Sequence, residues 1–164
     1  MTTKPRLTDV TLVLLRVFIG LAISTHGYQK IFGGGMAGFT EGVAGMGFPA
    51  PEIFAWLAAL SEFGGGILLA LGLFSRLGAL AVMGVMGTAF FVYHAADPFS
   101  VKEMAFAYLV VSSSLLFSGG GYYSLDHIIT ARIRRKRRIA RAQAEHQLRT
   151  PRRQNNRDAD RKSA

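Results

Sequence analysis

The 164-residue sequence contains no cysteine. Disulfide bonds, thiolate catalysis and cysteine-ligated zinc or iron–sulfur centres are therefore excluded. The sequence also lacks a recognisable haem or flavin motif, so we expect no cofactor to be bound by such a motif. Nothing in it indicates that the chain could transfer electrons by itself.

Charged residues are scarce in most of the chain. Residues 1–130 contain 6 Lys/Arg and 7 Asp/Glu, a net charge of −1. Residues 131–164 contain 13 Lys/Arg and 3 Asp/Glu, a net charge of +10, so the net charge of +9 for the whole chain arises from this tail. We therefore divide the chain into a body, residues 1–130, and a basic tail, residues 131–164, whose composition after Pro151 predicts partial disorder.

The body contains four apolar runs long enough to cross a hydrocarbon core about 30 Å thick, which requires roughly 17–25 helical residues. These runs lack both the polar outer face of a helix in a soluble globule and the polar alternation of a barrel strand. The sequence therefore predicts an all-α fold, a four-helix transmembrane bundle. The predicted spans cover residues 10–30, 53–74, 77–94 and 103–120.

The distribution of basic residues predicts the orientation of the bundle. One side carries Lys4, Arg6 and Arg76 together with the basic tail, whereas the other side carries Lys30 and Lys102. Both termini are therefore predicted to be cytoplasmic. The expected location is the cell membrane, as a multi-pass protein of a bacterial inner membrane.

Two segments lie outside the predicted spans. The glycine-rich loop of residues 31–52 fits either a short helix over the mouth of the bundle or a flexible linker. The basic tail predicts contact with anionic lipid head groups of the bilayer, where each basic residue near the surface contributes about 1 kcal/mol. The tail has no aromatic residues between its basic ones and no nucleic-acid-binding motif, which argues against nucleic acid as a partner.

Two ionisable residues lie deep in the predicted spans. Such residues cost about 2.5–3.5 kcal/mol at the membrane centre, so each requires a partner or a function. Arg16 can pair with Glu62 and hold the first two helices in register, or its side chain can extend back to the cytoplasmic surface. Glu62 is too central for the second arrangement. The glycines expected to allow close helix packing are Gly27, Gly64, Gly65 and Gly66.

A second set of polar residues lies at the outer ends of the predicted helices. Each can be an ordinary solvated helix end, but together with Glu62 they can line an outward-facing pocket in an apolar bundle. Such a pocket suits a quinone head group, whose carbonyls need hydrogen-bond donors and proton-transferring groups. The spacings match no metal-ligand motif, so we predict no metal. The candidate pocket residues are His26, Lys30, Glu62, His94 and Glu103.

Four segments of the body carry a recognisable pattern. They are LLRVFIGLAISTHGYQKIFGG, LSEFGGGILLALGLFSRLGAL, HAADPF and GGGYYSLDHII. Together these segments resemble the DoxX family of small four-helix membrane proteins. Their order and spacing match the family over about residues 8–130, and the basic tail lies outside the match. The positions that carry the family pattern are Arg16, His26, Gly27, Lys30, Glu62, Gly65, His94 and Ser124–Asp126.

The resemblance implies membership of a family in which some proteins are attached to quinone-linked oxidoreductase assemblies. We therefore expect an accessory or quinone-contacting subunit of a membrane oxidoreductase complex, with other subunits of that complex as partners. The alternative is a non-catalytic membrane scaffold or small-molecule carrier, in which the buried polar residues serve assembly. The sequence leaves open whether the chain catalyses a reaction.

Overall fold

A computed structural model describes residues 7–162, and their side chains except those of residue 142 and residues 145–162. This part of the chain is helical and contains no β-strand, which confirms the predicted all-α fold. The helices are α1 (Leu7–Ile31), α2 (Met36–Gly45), α3 (Pro51–Leu71), α4 (Ser75–Thr88), α5 (Phe99–Ser118) and α6 (Leu125–Lys162), and a π-helical turn, Ala89–Tyr93, extends α4.

Among residues 7–162, four helices are long and apolar enough to cross a membrane. They are Leu7–Ile31, Pro51–Leu71, Ser75–Tyr93 and Phe99–Ser118. Each lies within a few residues of a predicted span, so the four-helix transmembrane bundle is confirmed. Many of their large apolar side chains point outward, as the hydrocarbon core of a membrane requires.

Local sequence signals account for the limits of the first long helices. Asp9 in the first turn of α1 and Lys30 in its last turn both complement the helix dipole. Pro51 begins α3, where its missing N–H costs nothing, and Gly72 ends α3 in the left-handed conformation with φ of 67°.

Helices α1 and α3 pack antiparallel along a seam of glycines. A Cβ atom added to Gly27 would collide with the backbone of Phe63, and one added to Gly20 would lie 2.5 Å from the carbonyl oxygen of Gly66. Gly66 is equally tight against the backbone of α1. The two backbones therefore approach as closely as small residues allow.

The four glycines named as close-packing residues divide into two groups. Gly27 and Gly66 lie in the seam between α1 and α3, and Gly65 packs against the backbone of Gly78 on α4. Gly64 was wrongly included, because a Cβ atom there would meet nothing within 4 Å. Successive helical residues are about 100° apart, so one member of a run of three glycines turns away from both neighbouring helices.

The apolar core joins all four spanning helices toward the turn between α3 and α4. Its buried residues are Ile23, Leu69, Ala79, Val82, Met86 and Leu115. This core holds the bundle together on the side of the α3–α4 turn, which Gly72 begins. The opposite end, where α2 lies, is less tightly filled and contains the site described below. We call these the turn end and the α2 end of the bundle.

The segments outside the spans are also helical. Residues 36–45 of the glycine-rich loop form α2, so this loop is not merely a linker. The chain separates into two compact units, Met1–His127 and Ile128–Ala164. The described part of the second unit is helical up to Lys162, including the residues after Pro151, for which disorder stays a prediction.

Candidate functional site

A cavity of about 610 Å³ lies at the α2 end of the bundle. Residues from all four spanning helices line it, α2 contributes Phe39, Gly42 and Val43, and Met46 follows directly after α2. Most of its wall is apolar, and its polar groups are few. A cavity of this size, with a few polar groups in an apolar wall, is typical of a small-molecule site.

The most buried polar residue of the cavity wall is Glu62 on α3, which is 2% exposed. Both of its carboxylate oxygens accept hydrogen bonds from Lys30 Nζ on α1, at 2.6 Å to Oε1 and 2.5 Å to Oε2. This ion pair lets a carboxylate remain charged among apolar helices, because the ammonium compensates for its lost hydration. The pair therefore supplies both a donor and an acceptor to the cavity.

Phe39 of α2 contacts the ion pair. The Lys30 ammonium lies 4.0 Å from the centre of the Phe39 ring, a cation–π contact. The side chain of Lys30 keeps 22% of its surface exposed. Helix α2 is therefore part of the site, because its Phe39 ring contacts the ammonium of Lys30.

His26 lines the cavity one helical turn before Lys30, on the same face of α1. Its ring packs edge-on to Tyr108 of α5, with 6.1 Å between the ring centres. We call His26, Lys30 and Glu62 the polar corner of the cavity. The imidazole and the ammonium lie on α1 and the carboxylate lies on the adjacent α3. Together they can form hydrogen bonds with one small polar head group.

His94 lies at the rim of the cavity, directly after the π-helical turn. Its Nδ1 is 2.7 Å from a carboxylate oxygen of Asp97, which is exposed. Lys102 caps the same turn by donating to the carbonyl oxygen of Ala95 at 3.2 Å. A π-helical turn shifts the residues after it around the helix, and such turns are frequent at functional sites. Here the turn is followed by His94, which lines the cavity and also contacts Asp97 of the loop.

Glu103 does not belong to the cavity, and its inclusion among the pocket residues was wrong. It is exposed in the first turn and a half of α5, and Val101, Met104 and Ala105 line the cavity in its place. The 100° step of the helix turns position 103 away when 101, 104 and 105 face inward. The structure thus brings together His26, Lys30, Glu62 and His94, and leaves out Glu103.

Of the two arrangements that the sequence leaves open for Arg16, the pairing with Glu62 is wrong. Arg16 is buried at the turn end, beside Gly72, where its guanidinium donates to the carbonyl oxygens of Gly120 at 3.1 Å and Tyr123 at 2.7 Å. Gly72 is ten residues from Glu62 along α3, so the Arg16 guanidinium beside Gly72 lies about 15 Å from the level of Glu62. The antiparallel register of α1 and α3 therefore places Lys30, and not Arg16, beside Glu62.

A second polar cluster surrounds Arg16 at the turn end. The carboxylate of Asp126 accepts hydrogen bonds from the backbone N–H groups of Phe74 and Ser75 and from the Ser75 hydroxyl, at 2.8–2.9 Å. Burial alone would raise the pKa of the Asp126 carboxyl, but these hydrogen bonds and the Arg16 charge hold the pKa below its ordinary value. This cluster ties the α3–α4 turn to the start of α6 and lies far from the cavity.

Sequence reasoning missed several residues of the site. Phe39 and Tyr108 are aromatic residues in apolar segments and give no signal of their own. Asp97 lies three residues after His94, and that spacing alone could have indicated the pair. Among the described residues, no group of three or more His, Cys, Asp or Glu is placed to hold a metal ion.

Comparison with known proteins gives the chain relatives of similar length. The model of the DoxX family matches residues 11–95. "Inner membrane protein YqjF" of Escherichia coli (strain K12) is 30% identical over 129 residues, which cover 76% of this chain and 95% of that protein. "Putative oxidoreductase CatD" of Bacillus subtilis (strain 168) is 28% identical over 122 residues, which cover 74% of this chain and 88% of that protein. No solved structure matches the chain.

Proposed function

The chain belongs to the DoxX family, and from this premise we propose that it is a membrane subunit that binds a quinone in the cavity and serves an oxidoreductase complex. The observation that carries the proposal is the buried Lys30–Glu62 pair at the end of an apolar cavity of about 610 Å³. The name of the Bacillus subtilis relative, an oxidoreductase, supports the same reaction class.

The residues of the polar corner fit the head group of a quinone. The ammonium of Lys30 can donate a hydrogen bond to one carbonyl, and the imidazole of His26 can donate to a second polar atom. Glu62 accepts hydrogen bonds from Lys30 and so fixes the direction of its N–H groups. The apolar wall excludes water from the head group and so strengthens these hydrogen bonds. When bound, a quinone would supply two-electron and two-proton carrier chemistry.

The accessory role follows from what such a site needs around it. A bound quinone requires an electron donor or acceptor, and we expect a partner subunit with a flavin, haem or iron–sulfur group to supply it. Purification from native membranes in a mild detergent tests this role. Co-purification of a redox subunit supports it, whereas a bundle that purifies without partners contradicts it.

Binding of a short-chain quinone to the purified protein in lipid nanodiscs tests the site. We expect Lys30→Gln and Glu62→Gln to weaken binding at least about tenfold, the equivalent of roughly 1.4 kcal/mol, because the first removes the charged donor and the second removes the carboxylate that orients it. Glu103→Gln is the matched control, since Glu103 is exposed and lies outside the cavity. Equal binding by all three variants and the wild type would refute the site.

A membrane scaffold is the second candidate function. It is favoured by the contacts that join α1 to α3, which are the Lys30–Glu62 pair and the glycine seam. On this reading Glu62→Gln lowers the stability of the bundle but leaves quinone binding and any redox activity of the complex unchanged. Measuring thermal stability and quinone binding on the same preparation therefore separates the two functions.

A further inference from the structure

Several residues that line the cavity are also exposed on the outer faces of spanning helices. On α3 these are Phe54 and Leu57, of which Leu57 is 55% exposed. On α4 they are Leu80, which is 49% exposed, and Gly84. A residue that faces both the cavity and the outside marks an opening. All four residues lie within helices that are apolar enough to cross a membrane, so this opening faces the hydrocarbon core.

The opening lies on the α2 side of the close contact between α3 and α4. Toward the turn end the two helices are in backbone contact, where a Cβ atom on Gly78 would lie 2.9 Å from the carbonyl oxygen of Gly65. Gly84, six residues farther along α4, lines the cavity and is exposed, and a Cβ atom added to it would meet nothing within 4 Å. There is therefore free space beside Gly84 at this opening.

We infer that a lipid-soluble ligand enters the cavity sideways from the membrane, between α3 and α4 at Gly84, and leaves its apolar tail in this opening while its head group occupies the polar corner. This inference rests on the proposed function and specifies its ligand as a molecule with an uncharged polar head and a long apolar tail. We call the opening bounded by Phe54, Leu57, Leu80 and Gly84 the lateral portal.

The charges at the site fit an uncharged head group. Lys30 and Glu62 neutralise each other inside the cavity, so the polar corner offers hydrogen bonds without a net charge that would attract an ion. A charged head group would also have to cross the hydrocarbon core to reach the portal, which is costly. A neutral carbonyl compound meets neither obstacle.

The cavity has a second opening, at its rim. Tyr93, Val101 and Met104 line the cavity and are exposed near the outer ends of their helices. Asp97 in the loop and Lys102 in the first turn of α5 lie beside this rim and make it polar. An apolar tail gains about 0.8 kcal/mol for each methylene that stays out of water, so it should follow the apolar portal and not the polar rim.

Two probes and three variants test the portal. The probes are 2,3-dimethoxy-5-methylbenzoquinone, which has no tail, and the same ring with a decyl tail. In Gly84→Trp, the indole occupies the space where the tail leaves the cavity, so we expect the decyl probe to bind at least about tenfold more weakly. Binding of the tail-less probe should change less than about twofold, because the polar corner is intact.

The control variants make each outcome decisive. Gly64→Trp places the same side chain on a spanning helix at a glycine that has open space and lies outside the cavity, so both probes should bind as in the wild type. Met104→Trp narrows the rim at a residue of the cavity wall, so any loss of binding should be equal for the two probes if the tail leaves by the portal. If Met104→Trp weakens binding of the decyl probe more than binding of the tail-less probe and Gly84→Trp does not, the tail leaves by the rim and the portal is refuted. If the wild type binds neither probe, it is the proposed quinone function that fails.

Discussion

The two residues of the Lys30–Glu62 pair differ in how deeply they are buried, so the loss of either charge should have a different effect. The side chain of Glu62 is 3% exposed, whereas that of Lys30 is 22% exposed and also contacts the Phe39 ring. Removing the lysine charge leaves a buried carboxylate without a partner. Removing the glutamate charge leaves an ammonium that still reaches water and an aromatic ring.

We therefore expect Lys30→Gln to destabilise the bundle more than Glu62→Gln. Breaking a buried ion pair from one side costs about 3–5 kcal/mol, and the full cost applies where the remaining charge is buried. The double variant should be less destabilised than the sum of the single variants, because neither charge is then left alone. Denaturant titration in detergent measures these free energies, and strictly additive losses would contradict the pairing.

The sequence predicted most members of the site but not their partners. The cost of charge in a membrane identified Glu62, and helical spacing put His26 and Lys30 on one face. The pairing of Arg16 with Glu62 failed because the register between α1 and α3 depends on which glycines meet, and hydropathy does not show this. Cavity membership of Glu103 failed for a related reason, since one residue of helical phase decides which side of α5 faces inward.

At the scale of elements, the contact between α1 and α3 depends on small residues at particular positions. Gly27→Ala places a methyl group against the backbone of Phe63, and backbone cannot move aside as a flexible side chain can. We expect this variant to separate the two helices at the α2 end and to lower the thermal midpoint by several degrees. Gly64→Ala adds the same methyl group in open space and should be neutral or stabilising. Equal effects of the two changes would show that the seam does not limit the approach of the helices.

The stability of the turn end should depend on pH through Asp126. The pKa of its carboxyl is lower in the folded protein than in the unfolded chain, where an aspartate titrates at about 3.9. The stabilisation from its hydrogen bonds is therefore fully present above about pH 4 and is lost as the pH falls through the folded pKa. We expect Asp126→Asn to cost roughly 1–3 kcal/mol at pH 7 and to flatten the loss of stability below pH 4. Unfolding curves between pH 3 and pH 7 measure both effects, and parallel profiles of wild type and variant would exclude Asp126 as the group.

At the scale of the whole molecule, polar function and basic charge lie in different parts of the chain. The cavity belongs to residues 7–127, whose helices carry few charges, whereas residues 131–164 carry most of the basic residues. The four spans follow from length and hydropathy, and any chain with these runs would be predicted in the same way. The cavity does not follow from hydropathy, because its wall is assembled from side chains of the four spanning helices and of the α2 segment.

The orientation of the bundle is the remaining prediction at this scale, and the absence of cysteine makes it directly testable. The basic tail and Arg76 belong to one side, and positively charged loops are retained in the cytoplasm. Ala96→Cys puts a single thiol in the loop between the π-helical turn and α5, and Ala140→Cys puts one in the basic tail. In intact cells, a membrane-impermeant maleimide should label Cys at position 96, and it should label position 140 only after the membrane is permeabilised. The opposite pattern would place the rim of the cavity on the cytoplasmic side, and any proton exchange through His94 and Asp97 would then occur there.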